Sequence, residues 1–289
     1  MKICAITMVY RDYWAISQWY AHYSRHLKPE HLYIVAHGHD EMIGKLCPGA
    51  NVITVPRDDL AGFDRVRGQL LNGLQDGLGA LFDWVIRTDA DELICIDPMK
   101  FPSFEALFEA HKRASALFAL GINLAEVDGD RELIAGDDVL KHRSHAVFSG
   151  HYSKAWAVRR GTHMARHGVE VPSDRLDKAS LTLPKGIYLV HLKYASTQAL
   201  AEANAHRKQV ASGCERGLPG KLWLEADQDA QNFYSRLATL PDAPWMKARL
   251  KAYRAITRSP VRDAKLKVLR AKSIKFGLRT TLPDWFKES

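Results

Sequence analysis

The stretch Asp83-Trp84-Val85-Ile86-Arg87-Thr88-Asp89-Ala90-Asp91-Glu92-Leu93-Ile94 constrains this chain more than any other. Trp84, Val85 and Ile86 form a short apolar run of the kind that makes a buried strand, and three carboxylates follow where that strand should end. In an open α/β sheet, ligands sit in the crevice outside the carboxyl ends of the strands. Asp89 and Asp91 are two apart, so on extended backbone they point the same way and can share a hard cation, Mg²⁺ or Mn²⁺, with phosphate oxygens. Without a cation, two such charges repel and raise each other's pKa. Glu92 alternates to the opposite face, which suits it to brace backbone or basic groups. The alternative for the whole motif is a solvated acidic turn with no ligand.

The remaining sequence places this run inside a mostly parallel sheet. Lys2 to Val9 reads as a central strand, and Trp14, Ile16, Trp19, Tyr20 and Tyr23 recur at helical spacing up to Pro29. Leu32–Ala36 and Asn51–Pro56 are two further strands, and Asp64 to Leu78 is a helix with Val66, Leu70, Leu74 and Leu78 on one stripe and Asp64 at its start. This order of strands and helices is the rhythm of parallel strands joined by crossover helices. Later come a helix at Phe104–Phe108, an apolar strand within Ala116–Val127, a strand at Lys154–Val158, and a strong strand at Gly186–Tyr194 followed by a helix from Ser196-Thr197. At 289 residues and 46% hydrophobic, the chain can bury a large core. Cys4, Cys47, Cys95 and Cys214 are far apart with no C-x-x-C spacing, which predicts reduced, mostly buried thiols. No apolar run approaches the roughly 18 residues needed to span a bilayer, and the N-terminus lacks a signal-peptide pattern, so a cytoplasmic protein is expected.

Several pieces in order carry a resemblance to a known family: the first strand, Asp40 after the second strand, the Arg-bearing helix 64–78, the D-W-V-I-R-T-D-A-D-E run, and the late strand ending in His191-Leu192-Lys193. Over about residues 1–210 the chain resembles the GT-A glycosyltransferases, more narrowly the bacterial family 2-like branch with its D-A-D-E-[FL] signature and late His. The resemblance implies a divalent metal, Mn²⁺ or Mg²⁺, held by Asp91 with His191, and Asp89 nearer the ribose or the metal's waters. It implies that Arg65 and Arg67 meet the nucleotide and that Tyr10 and Asp40 lie where the base is held, with a UDP-sugar as the favoured donor. Relatives commonly show Asn-Glu after the first strand, where this chain has Arg11-Asp12. An inverting transfer also needs a carboxylate base at the acceptor hydroxyl, well after the acidic motif. Glu126, Asp128, Asp137, Asp138, Asp174 and Asp177 are available there, with Asp138 and Asp177 favoured.

Other residues stay open between two roles. His191 alone could be a hydrogen-bonded core histidine, and Lys154 either supports a donor phosphate or sits at a sheet edge. His142, His145, His151, His163 and His167 read as a solvated acceptor-side loop, because Gly161 and Gly168 argue against a helix that would frame a metal.

The net charge of +8 is concentrated in the tail: Lys247 to Arg279 holds twelve Lys or Arg against one acid, Asp263. Met246, Leu250, Tyr253 and Ile256 fall on one stripe among these cations, so helices are expected over 244–258 and 261–275, lying on an anionic membrane surface or packed on the catalytic domain. Nucleic acid is disfavoured for lack of interleaved aromatics.

The expected architecture is α/β: a catalytic domain at 1–212, with a nucleotide-binding half (1–98) and an acceptor-side half (99–212), and a basic helical extension at 213–289. The expected activity is metal-dependent sugar transfer from a nucleoside-diphosphate sugar to a glycan or lipid-linked acceptor. A sugar-1-phosphate nucleotidyltransferase would instead show a Gly-rich basic loop after the first strand, which Tyr10-Arg11-Asp12-Tyr13-Trp14 is not. A nucleotide- or sugar-binding module without turnover is the non-enzymatic alternative.

Overall fold

The computed structural model describes residues 1–58, 62–212 and 225–289, so Cys214 and the proposed boundary after residue 212 adjoin or lie outside the described residues. It is a mixed α/β protein with a parallel-rich central sheet and flanking helices. The first strands are β1 (Ile3–Val9), β2 (Leu32–His37), β3 (Asn51–Val55) and β4 (Trp84–Arg87), which run parallel in the order β3-β2-β1-β4.

β1 shows why this sheet is covered on both sides. Ile3, Ala5 and Val9 face one way, into a core with Ile16, Trp19 and Tyr23 of α1 (Tyr13–Tyr23). Cys4, Ile6 and Met8 face the other way, against Leu71 and the partly buried Leu70, Leu74 and Leu78 of the helix Phe63–Leu78. Period-two alternation therefore supplies both cores from one strand. Val66, expected on that buried stripe, points outward at 51% exposure, and Gly62 in the left-handed region starts the helix in place of Asp64. A short helix, Glu41–Leu46, fits between β2 and β3 where no helix was expected.

The remaining strands extend this sheet and build two more. β5 (Glu92–Ile96), β6 (Ala116–Phe118), β7 (Leu120–Ala125), β8 (His145–Ser149) and β9 (Ala155–Val158) follow in sequence. β9 and β6 extend the first sheet antiparallel beyond β4. Later strands are β10 (Met164–Ala165), β11 (Gly168–Glu170), β12 (Ile187–Tyr194), β13 (Val261–Asp263), β14 (Val268–Arg270) and β15 (Lys275–Thr281), and a second sheet runs in the order β15-β8-β7-β12-β5. β5 of the expected first half thus lies in the second sheet, β6 and β9 of the expected second half lie in the first, and Lys275–Thr281 of the tail pairs with β8.

The tail's helix forms at Trp245–Arg258, but 261–275 is not helical. Val261–Asp263 pairs with Val268–Arg270, which in turn pairs with Gly168–Glu170, burying Val268 and Leu269. The Lys-, Ala- and Leu-rich composition favours a helix only weakly, and strand pairing overrides it. The sequence stripe in the first helix also splits: Ala248, Ala252 and Ile256 are buried, while Met246 and Leu250 lie outside. Cys4, Cys47 and Cys95 are buried free thiols. Among the described residues no helix is long and apolar enough to cross a membrane.

One glycine fixes how the second sheet meets the site. A Cβ on Gly121 in β7 would lie 2.2 Å from the Tyr152 carbonyl carbon and 2.5 Å from the Ser153 nitrogen. Both are backbone atoms, so neither can swing aside. Gly121→Ala is expected to destabilise the protein by about 2–4 kcal/mol through overpacking, read as a lower urea midpoint. An unchanged midpoint would show that segment 152–153 is loosely held.

Candidate active site

β4 ends at Arg87 in the first sheet and β5 begins at Glu92 in the second, so Thr88–Asp91 is the connection across the seam between the sheets. α1 pins both flanks: the Trp19 Nε1–H donates to Thr88 Oγ1 at 2.9 Å, and the Ile94 N–H donates to the Tyr23 hydroxyl at 3.2 Å. These buried aromatics are core, as their spacing implied, and they also brace the acidic loop. The loop is a turn, closed by Glu92 N–H to Asp89 O at 3.1 Å, and not the extended segment that would aim Asp89 and Asp91 the same way.

The two aspartates consequently have different partners. Asp89 is locked between cations, with Oδ1 at 2.5 Å from Arg67 and Oδ2 at 2.9 Å from Lys154 Nζ. Burial alone would raise its pKa, but Lys154 and Arg67 hold it well below the usual carboxylate range. Lys154 also meets Glu92 at 2.7 Å, and Glu92 accepts the Asp89 N–H at 3.0 Å. Glu92 thus braces the loop, the role its position on the opposite face suggested. Lys154 pairs with two carboxylates within the protein, a placement that neither of its two open roles described.

Asp91 turns to His191, with Oδ2 3.2 Å from Nε2. His191 lies within β12 and not at its end, paired with Glu92 on one side and Asn123 on the other, and a register irregularity follows it. Its Nδ1–H donates to Asn123 Oδ1 at 2.9 Å, and the Tyr152 ring stacks on it at 3.6 Å and 20°. Burial pushes the imidazole below its ordinary pKa, while the Asp91 carboxylate hydrogen-bonded to it pulls the other way. A carboxylate oxygen and an imidazole nitrogen this close could both turn to a cation, the nitrogen bare of its proton.

These groups open onto a cleft of about 810 Å³. Tyr10, just after β1, lines it with the Arg57 guanidinium 3.6 Å over its ring and the His206 ring 4.8 Å away. Elsewhere in the lining Lys193 meets Asp229 at 2.6 Å, and Phe233 stacks on Tyr194 at 3.6 Å and 4°. Asp229 and Phe233 come from the helix Ala226–Thr239, so the C-terminal region supplies one wall.

Other expected site residues lie elsewhere. Arg65 is exposed and does not line the cleft, whereas Arg67 does. Asp40 caps the helix Glu41–Leu46 through the Met42 N–H at 3.0 Å and accepts from the hydroxyl of the cleft-lining Tyr13, without lining the cleft itself. Asp138 caps the short helix Val139–His142 and pairs with Arg25 at 2.7 Å, and Asp177 is an exposed residue at the end of the helix Ser173–Leu176. Neither favoured base reaches the cleft, since short carboxylates after a loop satisfy helix ends as readily as ligands. His151 and His167 do line it, while His163 pairs with Asp76 at 2.8 Å.

The carboxylates that line the cleft are Asp12, Asp64, Asp89, Asp91, Glu202 and Asp229. Asp12 caps α1 through its Oδ1, and burial followed by the charge of Asp91 pushes its pKa up to about 6. The lone amide of Asn123 in the apolar run Leu120–Ala125 was a readable signal for a buried polar partner; Asp12, Arg57, Tyr152, His206 and Asp229 had none of comparable strength.

As a metal centre the donor set is small. Among the described residues no three His, Cys, Asp or Glu side chains are grouped as a cage. Asp91 and His191 nevertheless fit an ion that takes its remaining ligands from diphosphate oxygens and water, the usual manner in which Mg²⁺ or Mn²⁺ accompanies a nucleotide. Asp89, saturated by Arg67 and Lys154, does not join them in this arrangement.

No family model matches the chain, and no curated protein matches it. Solved structures similar to it include S. aureus TarS, at 11% identity and a TM-score of 0.35 over 80% of this chain and 43% of that one. Another is a CMP:2-keto-3-deoxy-manno-octonic acid synthetase complexed with CTP, at 14% identity and a TM-score of 0.31 over 80% and 100% of the two chains. A third is the galactosyltransferase LgtC in complex with donor and acceptor sugar analogs, at 13% identity and a TM-score of 0.23 over 96% and 86%. This chain therefore spans less than half of TarS, and at such TM-scores none of these likenesses establishes a family or a function.

Proposed function

We propose that this protein is a metal-dependent glycosyltransferase that moves a sugar from a nucleoside diphosphate, a UDP-sugar favoured, to a glycan or lipid-linked acceptor. The observation that carries this reading is the carboxylate–imidazole pair Asp91–His191, 3.2 Å apart, set beside the fixed cation Arg67 and the Tyr10 ring in one cleft. Breaking the bond from the anomeric carbon to the phosphate oxygen leaves negative charge on the departing diphosphate. A divalent ion bound at Asp91 and His191 would supply Lewis-acid stabilisation of that charge. Arg67 reinforces it from the protein side while holding Asp89, and Tyr10 offers a face for a base to stack on, with Arg57 behind it.

The acceptor hydroxyl must lose a proton as it attacks. Asp12 is our candidate base: it lines the cleft near Asp91, and a carboxyl with a pKa near 6 is ionised yet basic at neutral pH. Asp12→Asn retains an N-cap. It is expected to lower kcat about 100-fold or more while nucleotide affinity stays within about twofold. Equal turnover by both forms would remove Asp12 from this role.

A thermal-shift screen of UDP-, GDP-, CMP- and dTDP-sugars with and without Mn²⁺ tests the reading. A rise in melting temperature that needs both a nucleotide sugar and the metal supports it. The same shift with metal absent, or none with any donor, contradicts it.

A further inference from the structure

The helix Trp245–Arg258 carries five basic residues and no acid. Its inner side is fixed in the body: Ala248, Ala252 and Ile256 are buried, Trp245 packs on Phe148 and Tyr188, and the Tyr253 hydroxyl donates to Leu183 O at 3.1 Å. Arg249 also turns inward, to Tyr188. Met246, Lys247, Leu250, Lys251, Arg254 and Arg258 are left exposed. At about 100° per residue these six fall within one arc of roughly 140°, opposite the buried alanines. They form one continuous outer face.

Two properties set this face apart. Met246 and Leu250 are 54% and 41% exposed, two large apolar side chains one turn apart along one edge of a cationic surface. The four exposed cations are also without ion pairs among the described residues, whereas Arg25, Arg67, Arg131, Lys193 and Arg279 each meet a carboxylate within 2.8 Å. Beyond Pro260 the chain enters a hairpin whose turn adds Lys265, Lys267 and Leu266, the last 44% exposed.

We propose that this face docks the protein on a lipid bilayer bearing anionic headgroups, with Met246 and Leu250 inserted at the acyl boundary and Lys247, Lys251, Arg254 and Arg258 among the headgroup phosphates. A folded basic amphipathic helix with an apolar insertion edge is what such an interface selects. Each basic residue near an anionic surface raises partitioning about fivefold, so four of them with two apolar insertions suffice for reversible attachment. A single-stranded nucleic acid would use the cations but leave Met246 and Leu250 without purpose, and it would ask for exposed aromatics to stack on; Trp245 and Tyr253 are half-buried against the body. The inference does not depend on the sugar-transfer reading, because it concerns a different surface and its test uses no donor.

The test is co-sedimentation of the full chain with phosphatidylcholine vesicles and with vesicles containing roughly a third phosphatidylglycerol, at low and high salt. Wild type is expected to bind only the anionic vesicles, and salt is expected to weaken that binding. Lys251→Glu/Arg254→Glu should reduce partitioning at least about 25-fold. Met246→Ser/Leu250→Ser should reduce it about 10-fold with all charges kept, a loss that electrostatic attraction to a polyanion would not show. Thermal midpoints close to wild type confirm that both variants fold. Three results would each overturn the proposal: no vesicle binding by wild type, vesicle binding unchanged in either variant, or tighter binding to single-stranded RNA that the serine variant retains.

Discussion

Asp91→Ala is expected to abolish Mn²⁺-dependent nucleotide binding, with a loss of roughly 100-fold or more in affinity, about 2.7 kcal/mol, by titration calorimetry. The size of the effect follows from the small donor set. Among the described residues the proposed donors are Asp91 and His191 alone, so removing one would leave a single protein ligand. His191→Ala should act similarly. Asn123→Ala should cost less, about 10-fold, because Asn123 touches His191 and not the ion, and serves to fix which ring nitrogen carries the proton. If Asp91 were merely a structural partner of His191, its loss would lower the melting temperature of the nucleotide-free protein and leave affinity unchanged. The two outcomes separate cleanly.

Lys154→Met is expected to be the most destabilising single change in the site, by about 3–5 kcal/mol, or roughly 10 °C in melting temperature. Lys154 is 7% exposed and its ammonium meets both Asp89 and Glu92, while Glu92 is fully buried. Burial alone would lower the Lys154 pKa, but the two carboxylates hold it above its ordinary value. Deleting that cation strands Glu92, whereas Asp89 keeps Arg67. Lys154→Met/Glu92→Leu should therefore regain most of the loss, and a double variant no better than the single one would contradict this account.

The pH dependence of the single variant follows from the same group. Burial raises the folded-state pKa of Glu92 above its ordinary 4.5. A group so raised contributes stability that is fully present below the unfolded value and is lost as pH rises through the folded one. The Lys154→Met deficit should accordingly shrink on going from pH 8 toward pH 5, as measured by urea unfolding; a deficit that grows on acidification would contradict it.

The parallel sheet was legible because its signals are local and repeated: alternation in β1, the apolar run before Asp89, and the helical stripe ending at Leu78. The acidic loop and its distant histidine were legible through the resemblance, and the structure brings them within 3.2 Å. What sequence alone missed depends on long-range placement. A capping Asp and a ligand-facing Asp look alike in a string, so Asp138 and Asp177 were favoured over Asp12, which both caps a helix and lines the cleft. The tail's second helix failed because Val268 and Leu269 find partners in Gly168–Glu170, about a hundred residues earlier. Asp89 and Asp91 were expected on one face because extended backbone was assumed, and the chain turns between them to cross from one sheet to the other.

Product analysis separates sugar transfer through Asp91 and His191 from nucleotidyl transfer. The protein is incubated with Mn²⁺ and a UDP-sugar, and separately with UTP and a sugar-1-phosphate. UDP is expected from the first mixture, suppressed by chelator and by Asp91→Ala, and no pyrophosphate is expected from the second. Pyrophosphate from the second mixture, or UDP release indifferent to chelator and to Asp91→Ala, would contradict sugar transfer through this pair.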